Sequence, residues 1–214
     1  MDEEIKFKVV FVGDSTVGKT SIIRNFLKMD IEITSTLGAT SSKIEATIEG
    51  KKIVMNVWDT AGQETFRNLV PVYARSSNAA VIVFDQTNKT SWEHVNEWYN
   101  YLSETVGNIY ITLVANKSDM DCVIDLNDVY VWASEHKVEL IRTSAKDGTN
   151  VDTLFDTLSQ ALFKRYNESK QEAQPSPQSE GEKEEKQDIA LDTNQSNDDT
   201  NGKSDNSHNK GCCN

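Results

Sequence analysis

Four short strings in this 214-residue chain carry side chains suited to handling a phosphorylated purine. The first, Gly13-Asp14-Ser15-Thr16-Val17-Gly18-Lys19-Thr20 followed by Ser21, has the G-x-x-x-x-G-K-S/T spacing that wraps phosphates at a helix N-terminus. Gly13 and Gly18 permit tight curvature, so the amides of Ser15, Thr16 and Val17 can point inward. Lys19 brings a positive charge to the outer phosphates, and Thr20 offers a hydroxyl to Mg2+, a hard cation that prefers oxygen. Many ATPases and GTPases share this string, so it fixes only the phosphate end of a ligand. In the second, Trp58-Asp59-Thr60-Ala61-Gly62-Gln63-Glu64, Asp59 suits water-mediated metal binding. Gly62 can present a backbone N–H to a terminal phosphate, and Gln63 can orient an attacking water. The third, Asn116-Lys117-Ser118-Asp119, names the base. The Asp119 carboxylate accepts from guanine N1–H and the amino group, where adenine would offer a lone pair and leave a buried acceptor unpaired. The fourth, Ser144-Ala145-Lys146, adds a backbone donor for the guanine oxygen.

These strings are useful only if separate elements end in one place. An apolar run, Phe7–Val12, precedes the first string and a helical pattern, residues 21–27, follows it, which is the strand, loop and helix context that the motif needs. Further runs, 53–58, 110–115 and 139–143, lead into the other three strings. Helical stretches cover residues 92–104, 126–136 and 151–163, and Glu49-Gly50-Lys51 reads as a hairpin turn between antiparallel strands. The expected fold is α/β: a mainly parallel sheet with one antiparallel edge strand, helices on both faces, and ligands at the C-terminal ends of the strands.

The four strings, Trp58 and a terminal cysteine pair together resemble the Rab family of Ras-superfamily small GTPases, over about residues 5–168. Residues 6–11 and 68–77 look more like the Golgi-associated branch than the early-endosomal one. The resemblance implies a P-loop GTPase domain that binds GTP or GDP with Mg2+ and acts as a switch. It implies that Thr36 joins Thr20 and Asp59 around the metal in the GTP form, and that hydrolysis releases residues 30–42 and 60–76. It implies slow turnover, on the order of 10⁻⁴ to 10⁻³ per second, until a GAP supplies an arginine. Exchange factors, prenylation escort and GDI-type proteins and effectors are the implied partners. The implied location is the cytoplasmic face of a Golgi or endosomal membrane, in exchange with cytosol, and the implied state is a monomer.

The chain departs from the family pattern in places. No aromatic residue lies between Phe26 and Trp58, Ser41 stands where Rabs usually carry a Phe, and Thr65 stands where Arg is typical. Ser15 and Thr16 occupy positions where Ras-like loops often have Gly. An altered first switch keeps a second class open, a nucleotide-bound recruiting module that hardly hydrolyses. A third class, a P-loop ATPase or small-molecule kinase, predicts adenine binding.

Residues 1–170 form the expected domain, and composition changes after it. Residues 171–214 hold 10 acidic and 4 basic residues, half of the chain's net charge of −12, with few apolar residues, the signature of a disordered tail. Such a balance disfavours nucleic acid and gives no polybasic attraction to an anionic membrane. Cys212-Cys213-Asn214 resembles a doubly geranylgeranylated Rab terminus, and two lipids meet the requirement for stable anchoring. No signal peptide is evident, and Asp2 excludes N-myristoylation. Cys122 has no spaced partner, and His94, His136 and His208 lack metal-ligand spacing. Trp92, Trp98 and Trp132 fall on helical segments and read as packing or partner surface.

Overall fold

Strand β1 (Glu4–Val12) alternates so that Ile5, Phe7, Val9 and Phe11 face one side of the sheet while Val10 and Val12 face the other. Both sets are buried, which makes β1 a central strand covered on both faces. In the computed structural model the described residues are 4–29, 36, 38–61 and 70–172, all within the unit Met1–Pro175. They form a six-stranded sheet in the order β2-β3-β1-β4-β5-β6, with β2 (Ala39–Ile48), β3 (Lys51–Thr60), β4 (Ala79–Asp85), β5 (Tyr110–Asn116) and β6 (Glu139–Arg142). Only β2 is antiparallel to its neighbour, paired with β3 from Ala39↔Thr60 to Ile48↔Lys51. Glu49 (φ 50°) and Gly50 (φ 75°) make the turn between them with two left-handed residues, whose twist matches that of the flanking strands. The strand order runs outward from β1 in both directions, so the crevice at its C-terminal end is a topological switch point, the place where open α/β sheets bind ligands.

Helices cover both faces, as expected. Those on one side are α1 (Lys19–Phe26) and α6 (Val151–Glu172), where Phe155 stacks on Phe11 and packs 4.1 Å from the Phe26 ring centroid. The other face carries α2 (Val70–Ala74), α3 (Lys89–Glu93), α4 (Val95–Val106) and α5 (Leu126–Glu135), whose Val95, Leu102 and Val129 are essentially fully buried. Each such aliphatic side chain contributes about 1.5–3 kcal/mol of burial.

Two helix limits differ from the sequence reading. The helix expected over 92–104 is two pieces, because the Asn88 side chain caps α3 early by accepting from Thr90 N–H at 3.0 Å, and the chain re-enters at His94. Helix α6 runs nine residues past Phe163, to Glu172, on good helix formers and an i,i+4 pair between Lys164 and Glu168. Among the described residues no helix is long and apolar enough to cross a membrane.

Candidate functional site

The loop of residues 13–18 leaves β1 at the switch point. Gly18 (φ 102°) caps α1 without a side-chain hydrogen bond, and the first turn holds no acidic residue, so its amides suit an anion. Gly13 (φ 134°) passes so close to β4 that a Cβ would overlap the Val83 carbonyl, and one on Gly18 would overlap the Asn116 amide. Lys19 is buried and folds back over the loop, donating to the carbonyls of Gly13 (2.7 Å) and Asp14 (2.6 Å). Burial pulls its ammonium down to about 8, with the carboxylates of Asp59 and Asp14 acting the other way. Val17 is buried, Ser15 and Thr16 are exposed, and Ser21 lies in the first turn of α1. Thr16 holds φ 65°, a left-handed conformation unusual for a β-branched residue.

Asp59 lies at the end of β3, next to that loop. Its Oδ2 accepts from Thr20 Oγ1 at 2.6 Å and lies 3.4 Å from Thr36 Oγ1, while the two hydroxyls are 3.0 Å apart. Its Oδ1 is buried and finds no hydrogen-bond partner among the described residues. Burial raises the Asp59 carboxyl above its ordinary range, against the pull of the Thr20 hydroxyl and the Lys19 charge. A dehydrated carboxylate with one oxygen unused, beside two hydroxyls, is a hard all-oxygen donor set, so the residues fit Mg2+.

The base-side strings meet at the C-terminal ends of β5 and β6. Asn116 is buried: its Nδ2 donates to the Val17 carbonyl (2.8 Å), and its Oδ1 accepts from Thr143 Oγ1 (3.1 Å) and Ala145 N–H (3.2 Å). One side chain thus clamps three loops together. Lys117 (φ 65°) pairs with Asp85 Oδ2 at 2.5 Å. Burial works to raise Asp85, but Lys117 and the Thr87 donors outweigh it and hold the carboxylate below its ordinary range. Asp119 Oδ1 accepts from Ser144 Oγ at 2.7 Å and its Oδ2 lies 3.6 Å from Lys146 Nζ. Ser144 Oγ in turn accepts from Lys146 N–H (3.2 Å), and Asn25 of α1 donates to the Ala145 carbonyl (3.2 Å). Within the string expected to offer a backbone donor to the base, the Ala145 amide is directed at Asn116.

The structure therefore brings together Gly13, Ser15–Ser21, Thr36, Asp59, Asn116, Lys117, Asp119 and Ser144–Lys146 at one end of the sheet. Gly62, Gln63, Cys212 and Cys213 lie outside the described residues, as does Thr65. Asp14 and Asp85 escaped the sequence reading as participants. Asp14 is gripped from α4, where Trp98 Nε1 donates to Oδ1 (3.0 Å) and His94 Nδ1 lies 2.6 Å from Oδ2. Trp98 is packing, as expected, but with a polar task at its edge. Asp85 had a signal: a carboxylate ending the apolar run 79–84, which lies opposite Asn116 in the sheet.

Known proteins bear on this arrangement. The sequence profile of the Ras family matches residues 8–164. The chain is 36% identical over 163 residues to GTP-binding protein ypt3 of Schizosaccharomyces pombe, covering 74% of this chain and 76% of that protein. It is 34% identical over 163 residues to Ras-related protein rab-11.1 of Caenorhabditis elegans, covering 74% and 77% respectively. It is 36% identical over 178 residues to Ras-related protein Rab-19 of Mus musculus, covering 78% and 82%.

Proposed function

The chain belongs to the Ras family as a Rab-type small GTPase, and from that premise we propose how its own residues divide the work of binding GTP, hydrolysing it to GDP and phosphate, and signalling the difference. The observation that carries the assignment is convergence: Lys19, Thr20 and Asp59 on one side and Asn116, Asp119 and Ser144 on the other, far apart in sequence, meet at one switch point. The amides of residues 13–18 and the Lys19 ammonium hold the phosphates. Thr20, Thr36 and Asp59 would hold Mg2+, which would supply neutralisation of the charge on the outer phosphates. Gln63 orients the attacking water and Gly62 donates to the terminal phosphate. Asp119 reads guanine, while Asn116 acts chiefly by clamping the loops that surround it.

Thr36 hydroxyl contact ties the first switch to this cluster, so loss of the terminal phosphate loosens that segment. The altered surface is read by effectors, and GAP, exchange-factor and GDI-type partners act on the same segments. Trp58 and Tyr73 stack at 5.7 Å on that surface, and the exposed Ser41 lies opposite Trp58 in the β2–β3 pairing. An effector therefore meets a small hydroxyl beside this stack, where the family pattern puts a phenyl ring. Doubly prenylated Cys212 and Cys213 hold the protein on the cytoplasmic face of a Golgi or endosomal membrane, where it takes part in vesicle traffic, and residues 171–214 serve as its tether.

The test is to extract the purified protein and identify what it releases. About one guanine nucleotide per chain is expected, and Asp119→Asn should weaken GDP binding by at least about a hundredfold. Co-purifying ADP or ATP, or an unchanged GDP affinity in the variant, would overturn the assignment.

A further inference from the structure

Gln86 follows β4 and is completely buried, yet no motif contains it. Its Nε2 donates to the carbonyls of Met120 (2.9 Å) and Lys117 (3.2 Å), the two ends of the turn that carries Asp119. Its Oε1 accepts from the Arg142 guanidinium, Nη2 at 3.0 Å and Nε at 3.3 Å. Its backbone is engaged in the same place: its N–H donates to the Asn116 carbonyl (3.1 Å), and its carbonyl accepts from Val123 N–H (3.0 Å). Arg142 ends β6 immediately before Thr143 and Ser144, and its own carbonyl accepts from Asn150 Nδ2 (2.8 Å).

We propose that Gln86, oriented by Arg142, is a positioning residue for base selectivity. The inference deepens the guanine-binding reading of the same site and rests on it. The turn it holds is under conformational load, because Lys117 sits in the left-handed region. Two carbonyls fixed at opposite ends of a four-residue turn set the height and tilt of the carboxylate between them. A guanidinium on the amide oxygen polarises the donor side and ties the turn to β6, whose next residues supply Ser144 to Asp119. Without Gln86 both carbonyls and the guanidinium lose a buried partner, and the turn relaxes around the Asp119 carboxylate that reads the 2-amino purine.

The experiment compares affinities for GDP, for IDP, which lacks the 2-amino group, for ADP and for inorganic pyrophosphate. In Gln86→Leu, GDP should bind about tenfold more weakly and the GDP:IDP ratio should shrink by at least about threefold, while pyrophosphate is unchanged. Arg142→Met, at a half-buried position, should shift the ratio in the same direction by less. Leu162→Ala, a core truncation on α6, serves as the control that loses stability and keeps the ratio. A ratio unchanged in both Gln86→Leu and Arg142→Met, or compressed equally in Leu162→Ala, overturns the inference while leaving guanine binding intact. A wild-type protein that binds ADP as well as GDP overturns the site reading and this inference with it.

Discussion

Lys19 is the residue at which burial and charge compete most directly. Its folded-state value of about 8 lies below the ordinary 10.5, so between those values the unfolded chain binds the proton that the folded chain has released. Nucleotide-free protein should therefore gain stability as pH rises from about 8 to about 10.5, by up to about 3 kcal/mol, and carry that cost in full below pH 8. Bound phosphates favour the charged form, so GDP binding near pH 8–9 should take up a proton and weaken as pH rises. Calorimetry in buffers of different ionisation enthalpy measures that uptake; none at about pH 8.5 would contradict the assignment of Lys19 to the phosphates. Thr16 is the strained counterpart, a β-branched residue at φ 65° on an exposed turn. Replacing it by Gly should stabilise the fold by about 1 kcal/mol, the left-handed penalty less the added chain entropy. Urea denaturation of Thr16→Gly should show a higher midpoint at unchanged slope, and a lower midpoint would mean the Thr side chain has contacts worth more than the strain.

At the level of elements, the legible parts were those with local signals. The runs 7–12, 53–58 and 110–115 became strands because apolar, partly β-branched sequence leading to a turn motif can bury both faces in only one way. The joint at His94 was illegible because residues 89–106 contain neither Pro nor Gly, and the partner of His94 is Asp14, 80 positions away. Gln86 was hidden for a similar reason: its role depends on carbonyls brought to it by the turn after β5 and on a guanidinium brought to it by β6. Helix α4 thus does more than cover the sheet, since Trp98 and His94 brace the phosphate loop through Asp14. Trp98→Phe keeps the ring and deletes one donor to a carboxylate, which should cost about 1.5–3 kcal/mol. If the brace matters to the site, GDP dissociation should accelerate several-fold in a stopped-flow displacement assay; an unchanged rate would confine the contact to stability.

For the whole molecule, charge and anchoring pull in different directions. The chain carries net −12, with half of it in residues 171–214 next to the proposed lipid site at Cys212 and Cys213. A basic residue at an anionic leaflet contributes about 1 kcal/mol of attraction, and an acidic segment reverses that sign within a Debye length of about 8–10 Å. The proposed lipids at both cysteines would have to supply membrane binding, at about 0.8 kcal/mol per buried CH₂, two chains being needed because a single one is readily reversible. Protein prenylated on both cysteines should float with neutral phosphatidylcholine vesicles at least as well as with vesicles containing phosphatidylserine. Its binding to the anionic vesicles should strengthen as salt rises and repulsion is screened. Cys212→Ser and Cys213→Ser should each reduce binding to a weak, reversible level. Tighter binding to anionic vesicles at low salt would show that a basic surface, rather than lipid, takes the protein to its membrane.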